Sequence, residues 1–184
     1  MKKRCDWAKD EPNTSYHDHE WGIPQHDDQK LFEFLILEGA QAGLSWSTIL
    51  NRRQGYCDAF SNFDVIAVSK YTQNNVKKLI KNEAIIRNRL KINSVINNAK
   101  KFIEIQNEFG SFDQYLWGFV NNIPIKNKFQ KHSDIPAYTE LSKTLSFDLK
   151  KRGFTFVGPT ICYALMQAVG MVNDHVVNCF KYSK

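Results

Sequence analysis

The chain has 184 residues, 42% apolar and 24% charged, the balance of a folded domain rather than a disordered one. Its length suits one domain spanning 1–184. No run of 18 or more apolar residues is present, which excludes a membrane-spanning helix, and Met1-Lys2-Lys3-Arg4 leads into Cys5-Asp6-Trp7 rather than an apolar stretch, so no secretory signal is expected.

In chain order the pattern is helical nearly throughout. Leu31, Phe32, Phe34, Leu35, Ile36 and Leu37 are apolar on almost every side and predict a buried helix. Thr72 is a plausible cap for a short helix carrying Val76, Leu79 and Ile80. Ile92, Val95, Ile96, Ala99 and Ile103 fall at helical spacing, and Gly110 closes that helix. The segment 121–138 is polar and reads as a surface excursion. Leu141, Leu145 and Leu149 form a further stripe, ended by Lys150-Lys151-Arg152-Gly153. Gly158-Pro159 opens the next helix and Gly170 ends it. Phe154 to Val157 is the sole candidate strand, and one strand has no sheet. The class is all-α.

The net charge is +6, from 25 basic and 19 acidic residues. It is unevenly spread. Residues 70–101 hold nine bases against Glu83 alone, a local excess of +8, so the other 152 residues sum to −2. The first 64 residues carry −4. A phosphate backbone is the natural partner of such a patch; a solvated helix face is the alternative.

Four cysteines (Cys5, Cys57, Cys162, Cys179) in a chain without a signal suggest reduced thiols or metal ligands in a reducing, cytoplasmic setting. His175 and Cys179 are four apart, which would place them on one face of a helix. Cys5 and His17 are twelve apart near the other end. Two Cys and two His make a closed tetrahedral zinc set without an open position, hence structural. It would clamp the two ends together. The competing reading is two core cysteines and two unrelated histidines, and His19 competes with His17.

Glu38 follows the buried run. Its helical neighbours Leu31, Phe34, Leu35 and Ala42 are all apolar, whereas Glu33 neighbours Gln29 and Lys30 and can face water. An unpaired carboxylate in apolar surroundings costs several kcal/mol unless something binds it, which makes Glu38 a functional-site candidate. A helix ending before Gly39 would instead leave it in water. Trp7, Tyr16, Trp21 and Trp46 flank it in sequence. A carboxylate, several aromatics and a basic patch elsewhere suit a pocket for a flat, cationic or hydrogen-bond-donating ring, such as a base flipped out of DNA.

Tyr16-His17-Asp18-His19-Glu20-Trp21-Gly22 and Leu37-Glu38-Gly39-Ala40-Gln41-Ala42-Gly43-Leu44-Ser45-Trp46 resemble signatures of the bacterial 3-methyladenine DNA glycosylase I family. So do Lys150 to Phe154, Phe156-Val157-Gly158 and Asn173-Asp174-His175 through Cys179. The resemblance runs from Cys5 to Cys179. It implies a helix-hairpin-helix glycosylase fold, with the hairpin region about 72–108, and one structural zinc ion on Cys5, His17, His175 and Cys179. It implies that Glu38 binds the alkylated base, that Tyr16 and Trp46 stack on it, and that Trp7 and Trp21 complete the wall. Gly43-Leu44 would enter the gap in double-stranded DNA, and the hairpin from Asn82 to Lys91 would grip the backbone. The implied activity is hydrolysis of the N-glycosidic bond of 3-methyladenine by a monofunctional enzyme; a monomer is the default expectation for the chain.

Two departures stand out. Ala84 and Leu90 replace glycines that would let backbone amides approach a phosphate, which shifts the grip toward the side chains of Arg87, Arg89 and Lys91. Asn13-Thr14-Ser15 lacks an aromatic often found before Tyr16, which thins one pocket wall. A non-catalytic, zinc-stabilised DNA-binding module would explain the patch and the ligands but leave Glu38 unused. A zinc hydrolase would need an open coordination position.

Overall fold

A computed structural model of the chain describes residues 2–182, and helices are their dominant regular structure. The elements are α1 (Asn13–His19), α2 (Asp28–Gln41), α3 (Trp46–Leu50), α4 (Arg53–Ala59), α5 (Val65–Ser69), α6 (Gln73–Leu79), α7 (Arg89–Phe109), α8 (Phe112–Gly118), α9 (Glu140–Lys151) and α10 (Pro159–Ala168). Among the described residues no helix is long and apolar enough to cross a membrane.

Helix α2 is the axis of the core. Asp27 caps it by accepting from the Lys30 amide, and every residue from Leu31 to Ala40 is buried. Helices α3, α7, α8 and α10 pack around it. Asp28, in its first turn, also accepts from the Phe112 and Asp113 amides at 2.9 and 2.8 Å, so one carboxylate joins the starts of α2 and α8. The apolar core takes in residues from Cys5 to Cys179.

Helix α7 begins where Asn88 accepts from the Lys91 amide and ends at Gly110, whose φ of +90° suits a residue without a Cβ. Its buried stripe includes Ile92, Val95, Ile96 and Ala99, as the spacing predicts. Between α6 and α7 the loop 80–88 turns close over α4. A Cβ on Gly55 would collide with the Ala84 carbonyl, so the small residue at 55 sets how near the loop lies.

Two expectations fail here. Residues 154–157 form no strand. Phe156 has a φ of +57°, the Thr155 amide is taken by the Asn98 side chain, and the Val157 carbonyl accepts from Ser146 Oγ, so the segment is a turn pinned by side chains. The strands lie elsewhere: Ile125–Lys126 (β1) pairs in parallel with Val172–Asn173 (β2). The side chains of β1 are exposed, so no alternation marked it. Its order comes from backbone bonds to Met171 and Asn173 and from Asn127, which donates to Asp174 at 2.7 Å.

Candidate functional site

Tyr16 (α1), Glu38 (α2), Trp46 (α3) and Trp7 and Trp21 from the flanking loops line one cavity of about 360 Å³, within the range of small-molecule sites of roughly 300–1,000 Å³. The sequence brought all five together, and the structure places them on the same wall. Tyr16 and Trp46 have ring centroids 5.2 Å apart, and Trp7 meets Trp21 edge-on at 5.1 Å.

Three polar atoms of this cavity lack partners. Glu38 Oε2, Tyr16 Oη and Trp46 Nε1 are all buried without a hydrogen bond. Each such atom costs roughly 1–3 kcal/mol, and folded proteins seldom leave them so. Three such atoms around one cavity mark it as a candidate binding site. Glu38 is 3% exposed, and burial pushes its carboxyl up to about 8. A carboxyl so placed is mainly protonated at neutral pH. Burial also holds the Tyr16 hydroxyl well above its ordinary range, and the nearby Glu38 adds to that.

Glu33 does not face water as expected. It is buried, and its carboxylate takes Arg53 Nε at 2.6 Å and Lys30 Nζ at 2.7 Å. Spacing on α2 could not foresee Arg53, which arrives from α4. The contrast isolates Glu38: two buried acids share one helix, and only Glu33 has cations.

At the other side of Trp21 lies a second cluster. Cys5, His17 and Cys179 are buried and present ligand atoms within 4.8 Å of one another. His17 Nε2 lies 3.4 Å from Cys179 Sγ. His19 is exposed, which removes it as a competitor. The expected helix through His175 and Cys179 is absent; the segment is a loop with turns, held by Cys179 and Phe180 amide bonds to Val176 and Lys3. His175 stands outside the three-residue group, yet its ring is 5.0 Å from that of His17 and its Nε2 is buried without a partner.

The chemistry of these donors fits a soft or borderline divalent ion. His17 Nδ1 pairs with Asp18 Oδ1 at 2.8 Å and His175 Nδ1 with Asn173 Oδ1 at 2.9 Å. Both acceptors fix the proton on Nδ1 and leave Nε2 with its lone pair, the usual outer-sphere arrangement of metal-binding histidines. Burial pushes the Cys5 thiol up to about 12 and the His175 imidazole down to about 3, so both are held in their neutral forms.

In the basic stretch, Arg87 and Arg89 are exposed on the loop 80–88 and the start of α7. Lys91 is not. It is 9% exposed, and its Nζ donates to the Ala40 and Ala42 carbonyls at 2.7 Å each. The expectation that Lys91 meets DNA phosphates is corrected by this position: its ammonium is spent on the end of α2. Gly43 (φ +77°) and Leu44 form the exposed turn that follows, with Leu44 39% exposed.

Sequence reasoning missed several cavity residues. Gln41 is one turn beyond Glu38 and Ser47 directly follows Trp46, so both could have been named from their neighbours. His132 and Ile135 come from the polar segment 121–138, and no local signal marked them. Gln167 reaches the cavity from α10, with its amide nitrogen held by Asp174 at 2.7 Å.

A helical domain with an aromatic cavity around a buried acid, beside a Cys/His cluster, is the arrangement of an alkylbase-DNA glycosylase. The sequence profile of the methyladenine glycosylase family matches residues 7–182, and the chain belongs to that family. It is 45% identical over 181 residues to DNA-3-methyladenine glycosylase 1 of Escherichia coli, covering 98% of this chain and 97% of that protein. The structure superposes on a crystal structure of 3-methyladenine DNA glycosylase I with a TM-score of 0.95 at 44% identity, covering 98% of this chain and 100% of that one. It also matches 3-methyladenine DNA glycosylase I from Staphylococcus aureus, whose structure addresses recognition of 3-methyladenine, with a TM-score of 0.95 at 34% identity over 98% and 97% of the two chains.

Proposed function

We propose that the chain is a monofunctional DNA repair glycosylase that hydrolyses the N-glycosidic bond of 3-methyladenine in alkylated double-stranded DNA. The nucleotide is flipped into the cavity, the free base is released and an abasic site remains. The observation that carries this reading is the set of three unpartnered buried atoms, Glu38 Oε2, Tyr16 Oη and Trp46 Nε1, around one cavity. A flat base offers both faces for stacking and an edge of donors and acceptors.

Methylation makes the base cationic and already a good leaving group, so little general-acid help is required. Tyr16 and Trp46 stack on the ring, Trp7 and Trp21 close the wall, and cation–π attraction favours the charged base over adenine. A cation beside Glu38 favours the ionised carboxylate. Charge recognition is thereby restricted to the alkylated base, and selectivity is a difference in binding. Among the cavity-lining residues no lysine is present, so no Schiff-base step is assigned.

Gly43-Leu44, exposed between the cavity residues Gln41 and Trp46, fills the gap left by the flipped nucleotide. The region 72–108 acts as a helix-hairpin-helix element, with Arg87 and Arg89 on the phosphates. One zinc ion is held by Cys5, His17, His175 and Cys179; when bound it supplies a structural cross-link between the two ends of a single domain, 1–184. The enzyme works as a cytoplasmic monomer. A non-catalytic DNA-binding module would have no use for the cavity. The deciding experiment is release of free 3-methyladenine from methylated duplex: release with wild type, none from unmethylated DNA and little with Glu38→Gln supports the assignment, and no release by wild type overturns it.

A further inference from the structure

We propose that Lys91 is a positioning residue, which sets the base-reading end of α2 against the DNA-gripping loop by bonding the carbonyls of Ala40 and Ala42. The inference rests on the glycosylase reading above.

The end of α2 needs outside support. The last carbonyls of a helix have no intrahelical donor, and α2 has no basic residue in its own last turn. Its closing bond is long, Ala42 N to Gly39 O at 3.4 Å. Lys91 supplies what α2 lacks: a compact cation with several donors at the negative end of the helix dipole, reaching across 51 and 49 residues of sequence at 2.7 Å to each carbonyl. These two carbonyls bracket Gln41, which lines the cavity. Glu38 lies two residues before Ala40, and Gly43-Leu44 follow Ala42 directly.

The other end of the link is equally fixed. Lys91 sits in the first turn of α7, where Asn88 accepts its amide at 3.1 Å. Arg87 and Arg89 flank Asn88 and are exposed. One residue thus connects the loop presented to the phosphates with the helix end that carries the base-binding acid and the inserted turn. It does so from a buried position.

The test separates grip from chemistry. Lys91→Met keeps the length of the stem and removes the donors; Lys91→Gln keeps a neutral donor. Both are compared with wild type on methylated duplex, with single-turnover release of 3-methyladenine at saturating enzyme measured beside unmethylated-duplex affinity across a salt series. Positioning predicts that the saturating rate falls tenfold or more in Lys91→Met and less in Lys91→Gln, while affinity for unmethylated duplex stays within twofold and its salt slope is unchanged. A wild-type saturating rate in both variants overturns the inference. So does weaker duplex binding with a salt slope smaller by about one, the mark of a lost phosphate contact. If Lys91→Met fails to fold, Lys91→Gln reads the same two quantities against the same outcomes. An inactive wild type would instead remove the glycosylase reading itself.

Discussion

His17 Nδ1 lies 2.8 Å from Asp18 Oδ1, and Asp18 is in turn held by Arg4, whose Nη2 donates to Oδ2 at 2.7 Å. The hydrogen bond from Arg4 is the chief reason that the Asp18 carboxyl lies well below its ordinary range, with His17 adding to it. The chain of three fixes which nitrogen of His17 faces Cys5 and Cys179. Asp18→Ala removes that control while leaving all four proposed zinc ligands. Outer-sphere carboxylates are worth about 10–100-fold in metal affinity, so competition with a chromophoric chelator is expected to show a loss of that size. Metal analysis of the wild type is expected to give about one zinc per chain, and Cys179→Ser far less. Equal zinc affinity in Asp18→Ala would remove its orienting role.

Glu38 sets a second expectation, on stability. Burial raises its carboxyl from 4.5 to about 8. Below about 4.5 the group is protonated in both folded and unfolded chains. Between 4.5 and 8 the folded protein keeps a proton that the unfolded one has lost, so stability falls as pH rises through that window. The full penalty above pH 8 is at most about 5 kcal/mol by the size of the shift, and less as water relaxes around the ionised group. Glu38→Gln removes the titration. Its melting temperature relative to wild type is expected to rise from pH 5 to pH 9, even as base release is lost. Parallel melting curves over that range would contradict a buried, unpaired acid.

These two sites were not equally legible in the sequence. The apolar run around Glu38 announced a buried acid because α2 is buried on every side, and helical spacing then reports the neighbours faithfully. Glu33 was misjudged on the same helix because Arg53 reaches it from another element, which periodicity does not encode. The cluster of Cys5, His17 and Cys179 was inferred partly through a helix at 175–179 that does not exist; the ligand types were informative and the spacing was not. Lys91 looked like one more base in a basic run, since charge counts do not distinguish a cation in water from one turned onto carbonyls 49 and 51 residues away. The short β1–β2 pairing was hidden because backbone bonds and one side-chain bond from Asn127 order it, and neither leaves a hydrophobic pattern.

Tyr16 offers a test of the cavity that leaves its charge untouched. Its hydroxyl is buried without a protein partner, so Tyr16→Phe removes a group whose burial costs roughly 1–3 kcal/mol. The variant is expected to fold with unchanged or slightly higher thermal stability. If the hydroxyl bonds the bound base, affinity for free 3-methyladenine is expected to fall about tenfold, in line with a net contribution near 1–1.5 kcal/mol for one hydrogen bond. Calorimetric titration of the free base reads this directly. Lower stability with unchanged base affinity would mean that the hydroxyl serves the fold and not the ligand.

Arg87 and Arg89 are the side chains proposed to meet the DNA backbone. Both are exposed, and Arg87 Nη1 lies 3.2 Å from Glu83 Oε1 in a solvent-exposed pair, of a kind worth little to stability. Each arginine that neutralises one phosphate contributes close to one unit of salt slope. Arg87→Ala and Arg89→Ala are each expected to reduce the slope of duplex affinity against salt by about one and to weaken binding at low salt. Neither should change the affinity for free 3-methyladenine or the melting temperature by more than a degree or two. Glu83→Ala should act in the opposite sense, because it frees Arg87 and removes the one acid in the basic stretch. Tighter duplex binding at low salt, fading as salt rises, is the expected signature. If Glu83→Ala leaves affinity unchanged and Arg87→Ala leaves the slope unchanged, the DNA path does not cross this loop.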